Sequence, residues 1–108
     1  MIVISLQSNT SFAAKAPDRT VFAKSVCAAV DKASTTHNLD RIFFTRLLWK
    51  ESLFDPNAVS PAGAQGIAQF MPGTAKLRGL KNSFDHSEAL AAAADYLAFL
   101  TKKFGNLG

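Results

Sequence analysis

Apolar residues recur at helical spacing in three long segments of this chain, and that periodicity limits what it can fold into. From Phe22 to Ala33 they occupy positions i, i+4, i+7, i+8 and i+11, which is one stripe of an amphipathic helix. Residues 40–52 and 86–104 carry comparable stripes. Apart from Met1–Leu6, no segment alternates like a strand. The pattern predicts an all-α fold with helices near residues 18–34, 40–52, 64–70, 72–77 and 86–104.

Local signals predict where these helices begin and end. Asn38 is a plausible left-handed residue after the first helix, and Asp40 can cap the second. Pro72 suits a first helical turn because its φ is already helical. Asp85 and Glu88 have the spacing of a capping box at the start of the last helix.

Chain length limits the number of domains, and net charge limits the classes of binding partner. The 108 residues suffice for one domain, assigned to residues 17–108. Residues 1–16 are interpreted as a disordered tail or an export-signal remnant, since their apolar run is shorter than the roughly 7–15 residues of a signal's core. The net charge of +4 favours anionic partners, but scattered basic residues without interleaved aromatic residues do not predict nucleic-acid binding. No apolar run approaches the ~20 residues of a transmembrane span.

Glu51 continues the apolar stripe of the second helix. A rotation of about 100° per residue places it in one sector with Phe44, Leu47 and Leu48. Apolar neighbours and the negative end of the helix dipole both favour a protonated carboxyl, the form that general acid catalysis requires. Glu51 is accordingly expected at the floor of a concave site. A glutamate near a helix end can also be an ordinary solvated side chain, and the helix alone leaves both interpretations open.

The residues after Glu51 form a polar corner rich in glycine and proline. Gly63, Gly66 and Gly73 allow the backbone to approach a ligand closely. Ser60, Gln65 and Gln69 add neutral hydrogen-bonding groups, which suit a polyhydroxylated substrate such as a sugar. Turn formation is the alternative role for Ser60.

Residues 51–75, "ESLFDPNAVSPAGAQGIAQFMPGTA", resemble the motif of the lytic transglycosylases with a goose-type-lysozyme fold. The later "YLAFLTKKFGNLG" is similar to the helix and loop that follow in those enzymes. The resemblance covers roughly residues 39–107 and implies a lysozyme-like helical domain. It also implies a peptidoglycan substrate and a periplasmic or cell-envelope location.

The resemblance implies specific residue roles. Glu51 would be the single acid/base that cleaves between N-acetylmuramic acid and N-acetylglucosamine and closes a 1,6-anhydro ring. Ser60 and Gln69 match positions that face the sugar, and Gln65 and Gly66 are expected to bind substrate beside them. No cofactor is implied.

Two histidines and one tryptophan are expected to be structural. His37 and His86 lie in a turn and a cap without ligand spacing, so no metal site is predicted. Trp49 lies on the side of its helix opposite Glu51 and is expected in the core, although stacking on a sugar is the alternative.

The chain departs from the family pattern in two places. Ile67-Ala68 replace a usual Leu-Met pair, which predicts a smaller apolar groove wall. The family continues beyond "FGNLG" into a helix with an Ala-Tyr-Asn-Ala-Gly motif that supplies a tyrosine, and Tyr96 does not match that tyrosine. The domain is therefore expected to be C-terminally short, and either to self-associate or to have its site completed by a second chain. A monomer in which residues 1–16 fold back over the gap is the alternative. A non-catalytic wall-binding module and a lysozyme-like hydrolase remain the alternative functions.

Overall fold

The computed structural model of the protein describes residues 19–105. Within this range the chain forms four helices, joined by a tight turn (residues 38–40), a long corner (residues 53–71) and a loop (residues 78–85). The segment assigned to a tail or export signal, residues 1–16, lies outside the described residues. The helices are α1 (Arg19–His37), α2 (Arg41–Ser52), α3 (Pro72–Leu77) and α4 (His86–Phe104).

The predicted helix ends are largely confirmed. Asn38 has φ 55° and follows α1, which continues to His37, three residues further than predicted. The Asp40 carboxylate accepts hydrogen bonds from the backbone N–H groups of Ile42 and Phe43. Pro72 begins α3 without a side-chain cap. Local chemistry therefore determines where these helices begin and end.

The capping box at α4 is only half formed. Asp85 accepts from the backbone N–H groups of Ser87 and Glu88, as expected of an N-cap. The Glu88 carboxylate instead accepts from the backbone N–H groups of Lys81 and Asn82, at 2.7 and 3.3 Å. Glu88 thereby fixes the loop that precedes the helix.

The predicted helix at residues 64–70 is wrong. Gln65 and Phe70 exchange two backbone hydrogen bonds of 2.8 and 3.0 Å, and the residues between them form a tight loop. Gly66 has φ 80° and Gln69 has φ 55°, values that a right-handed helix does not contain. Among residues 19–105, extended pairing is limited to isolated bridges, so no sheet forms there.

The core draws on all four helices and on the corner, and α1 packs against both α2 and α4. The largest fully buried side chains come from α2, the corner and α4: Phe44, Leu48, Ile67 and Leu90. The corner thus contributes to the core through Ile67. Of the Ile67-Ala68 pair that was predicted to form a groove wall, only Ala68 lines the groove. No helix among the described residues combines the length and apolar character needed to cross a bilayer.

Candidate functional site

A groove of about 320 Å³ runs between the C-terminal half of α2, the corner and α4. Its described lining is mostly apolar and contains one carboxylate, from Glu51. The groove is lined by Phe44, Leu47, Leu48, Glu51, Ala68, Gln69, Phe70, Met71, Thr74, Ala93, Tyr96 and Leu97. The stripe predicted on α2 therefore does face a concave site.

Glu51 occupies the last turn of α2, between the buried residues Leu48 and Ser52. Leu53 ends the helix in a left-handed conformation, φ 54°, and its N–H donates to the Trp49 carbonyl at 2.8 Å. The expectation that Glu51 lies at the groove floor is wrong, because its side chain is exposed at the rim. The floor beside it is formed by apolar side chains of α2 and α4, and Glu51 lies one turn beyond Leu47.

Ser52 fixes the corner next to Glu51. It is 8% exposed, and its hydroxyl donates to the Ile67 carbonyl at 2.6 Å. The bond joins the last residue of α2 to the loop that carries Ala68 and Gln69. Sequence reasoning did not identify this residue, although its position directly after a candidate acid was a usable signal.

Gln69 lines the groove and also stabilises the loop from within. Its side-chain amide donates to the carbonyl oxygens of Gly66 and Ala58, at 2.9 and 3.2 Å. These bonds offset part of the cost of its positive φ, which is uncommon for a residue other than glycine. These two bonds use both N–H donors of the amide, so its carbonyl oxygen is the group left to accept a hydrogen bond from a ligand.

The other three predicted substrate-binding residues do not line the described groove. Gly66 is buried against Ser83, where an added Cβ would lie 1.8 Å from the Ser83 carbonyl oxygen. Ser60 Oγ accepts from the Ala64 N–H at 3.0 Å, which is the turn role considered above. Gln65 is half-buried, and its backbone groups pair with Phe70.

Tyr96 lines the groove, a position that sequence reasoning did not predict. Its ring centroid lies 6.3 Å from that of Phe70, and the Arg78 guanidinium carbon lies 5.0 Å from the Tyr96 ring. The spacing of α4 could have indicated this position, because Tyr96 shares a helix face with Ala93 and Leu97, which both line the groove. This face of α4 forms the wall opposite α2.

Both histidines have structural surroundings. His86 Nε2 is hydrogen-bonded to Ser25 Oγ at 2.7 Å, and its ring packs edge-on against Phe22. His37 is the last residue of α1. Across residues 19–105, no three His, Cys, Asp or Glu side chains converge as a metal site would require.

The sequence of residues 28–108 matches the family model described as "Transglycosylase SLT domain". Over 78 residues, 72% of this chain, it is 32% identical to the membrane-bound lytic murein transglycosylase F of Desulfosudis oleivorans. Over 78 residues it is also 31% identical to the transglycosylase of Enterobacteria phage PRD1. The aligned regions cover 17% and 29% of those two proteins, so this chain spans a small part of their length.

A solved structure shares the fold. The lytic transglycosylase Slt of Pseudomonas aeruginosa, determined as an inactive mutant with glutamine in place of a glutamate, superimposes with a TM-score of 0.67. The match has 23% sequence identity and covers 72% of this chain and 14% of that one. The predicted lysozyme-like helical fold is thereby confirmed.

Proposed function

This chain belongs to the transglycosylase SLT domain family, and from that we propose that it cleaves peptidoglycan glycan strands as a lytic transglycosylase. The observation that carries the proposal is that Glu51 is the one carboxylate in the described lining of the groove. Hydrolytic glycosidases use two carboxyl groups, roughly 5–5.5 Å apart when they retain configuration and roughly 6.5–9.5 Å apart when they invert it. A single acid suits a reaction in which the substrate supplies its own nucleophile.

The proposed reaction returns its proton to Glu51. The Glu51 carboxyl protonates the oxygen that links N-acetylmuramic acid to N-acetylglucosamine, and the C1–O bond breaks with its electron pair moving to that oxygen. The 6-hydroxyl oxygen of the same muramic acid then bonds to C1, and its proton passes to the Glu51 carboxylate. The products are a free 4-hydroxyl and a 1,6-anhydro ring, and no water is consumed.

The shape of the groove supports a polymeric substrate. Because Glu51 lies exposed at the rim, a glycan strand could lie along the groove without its ends entering a closed pocket. Met71 and Tyr96 offer apolar surface to sugar rings, and Gln69 offers a neutral polar group. Three further residues are proposed to support substrate binding indirectly, by maintaining the shape of the loop: Ser60, Gln65 and Gly66.

The relatives support the same assignment. Two are named transglycosylases, one of them membrane-bound, and the structural neighbour is inactive with one glutamate changed to glutamine. We accordingly propose that this chain acts at the cell envelope, in the periplasm.

Mass spectrometry of muropeptides tests the proposal. Purified sacculi incubated with the protein should release products ending in 1,6-anhydro-muramic acid, and Glu51→Gln should release none because an amide cannot cycle the proton. Glu88→Gln is the matched control, since its amide oxygen can still accept from Lys81 and Asn82. Products with a reducing muramic acid would identify a hydrolase instead. Sacculus binding without any product would identify a wall-binding module.

A further inference from the structure

The side of α2 opposite the groove carries exposed apolar residues. Ile42 and Trp49 are seven residues apart, which places them on one helix face, and they are 60% and 54% exposed. Trp49 was expected in the core, and this exposure makes that expectation wrong. Glu51 follows Ile42 by nine residues, about half a turn away around the helix. This surface is therefore separate from the proposed catalytic groove.

A cleft of about 490 Å³ between α1 and α2 adjoins these residues. Its walls are largely apolar and include Phe22, Val26, Val30, Ile42 and Phe54. The Trp49 and Phe54 rings lie 5.6 Å apart, so the exposed stripe and the cleft form one continuous surface. We call this surface, defined by Ile42, Trp49 and the cleft, the α1–α2 face.

The charge beside the α1–α2 face is positive. Arg41 and Arg46 both line the cleft. Arg41 is paired with Asp31 at 2.9 Å, whereas no carboxylate among residues 19–105 lies within ion-pair distance of Arg46. A guanidinium without a carboxylate partner among the described residues, at the edge of an apolar cleft, is complementary to an occupant with apolar and acidic side chains side by side.

We propose that the α1–α2 face binds an amphipathic helix of a partner protein, with an apolar ridge that enters the cleft and acidic side chains flanking it. Two packed helices leave a concave surface into which the ridge of a third helix fits. A flat bilayer surface would leave the concave cleft between α1 and α2 unfilled. A second copy bound through the same face would bring two positively charged surfaces together, which is unfavourable. Exposed Trp and Arg are also the residue types that most often dominate binding energy at interfaces.

Trp49 is the only tryptophan of the chain, so its fluorescence reports directly on this face. The probes are two synthetic helical peptides with the same leucine stripe, one flanked by glutamates and the other by lysines. The glutamate peptide should shift Trp49 emission to shorter wavelength and bind about tenfold more tightly than the lysine peptide, through its pairing with Arg46. The difference should shrink as salt is added.

Variants complete the test. Arg46→Glu should reverse the preference between the two peptides, and Ile42→Asn should weaken both, with circular dichroism confirming the fold of each variant. Lys102→Glu, an equal charge change on exposed α4 surface, should leave the preference unchanged.

Equal binding of both peptides would overturn the proposal. So would emission that depends on protein concentration without peptide, which indicates a second copy, or a shift seen only with phosphatidylglycerol vesicles. Muropeptide release is a separate readout, so the failure of this proposal is distinguishable from failure of the catalytic one.

Discussion

The Ser52 hydroxyl donates a 2.6 Å hydrogen bond to the Ile67 carbonyl and joins the end of α2 to the loop that forms one groove wall. Both residues are buried, at 8% and 0% exposure, so water cannot readily replace the bond. The candidate acid Glu51 immediately precedes this junction. The position of the groove wall relative to Glu51 therefore depends on a side chain that does not line the groove.

Ser52→Ala should lower the free energy of unfolding by about 1–3 kcal/mol, because it leaves the Ile67 carbonyl buried without its donor. Urea denaturation followed by circular dichroism measures the change. Ser87→Ala is the control, since Ser87 is exposed on α4, and its effect should stay within about 0.5 kcal/mol. Equal midpoints for the two variants would show that the bond contributes no net stability.

Gly66→Ala should destabilise the protein by about 3 kcal/mol or more. The new methyl group would lie 1.8 Å from the Ser83 carbonyl oxygen, and φ at this position is 80°. Gly73→Ala is the matched control, because nothing lies within 4 Å of its added Cβ and the residue is in α3. That change should stabilise the protein by about 0.5–1 kcal/mol. If Gly66→Ala unfolded at the same denaturant concentration as the parent, the close packing of the corner on Ser83 would be disproved.

Helix ends were predictable because their determinants are local. Asp40 and Asp85 bond to backbone groups two and three residues away, and Asn38 needs only its own tolerance of a left-handed conformation. The loop at residues 64–70 was not predictable in this way. Its shape depends on contacts distant in sequence, from Ser52 to Ile67 and from Gly66 to Ser83.

The candidate site was also predictable only in part, because some of its features depend on one helix and others on how the helices pack together. The stripe on α2 was sufficient to place Glu51 beside a concave surface, since one helix determines which residues share a face. It could not show that α4 supplies the opposite wall, and so Tyr96 was missed. Nor could it show that α1 leaves a cleft beside Ile42, which is why Trp49 was expected in the core.

Leu53→Gly should raise the free energy of unfolding by about 0.5–1 kcal/mol. Leu53 has φ 54° at the C-cap of α2 and is 64% exposed, so glycine removes backbone strain and little packing. Leu77→Gly is the opposite case, because Leu77 is 86% exposed and is the last helical residue of α3. That change should destabilise the protein by a similar amount. Thermal unfolding of the two variants measures both signs, and a loss of stability in Leu53→Gly would mean that its side-chain contacts outweigh the strain.

Arg78 should contribute more to stability through its aromatic contacts than through its ion pair. Its guanidinium carbon lies 5.0 Å from the Tyr96 ring centroid and 4.9 Å from that of Phe99, and its side chain is 22% exposed. Its partner Asp95 is 56% exposed, so their 2.9 Å ion pair is largely solvated and weak. We expect Arg78→Ala to cost about 1–2 kcal/mol through lost stacking and packing of the side-chain stem, and Asp95→Ala less than about 1 kcal/mol. Denaturation with and without high salt separates the two contributions, since salt screens the exposed pair more than the stacked contact. Equal losses for Arg78→Ala and Asp95→Ala, both abolished by salt, would assign the stabilisation to the ion pair instead.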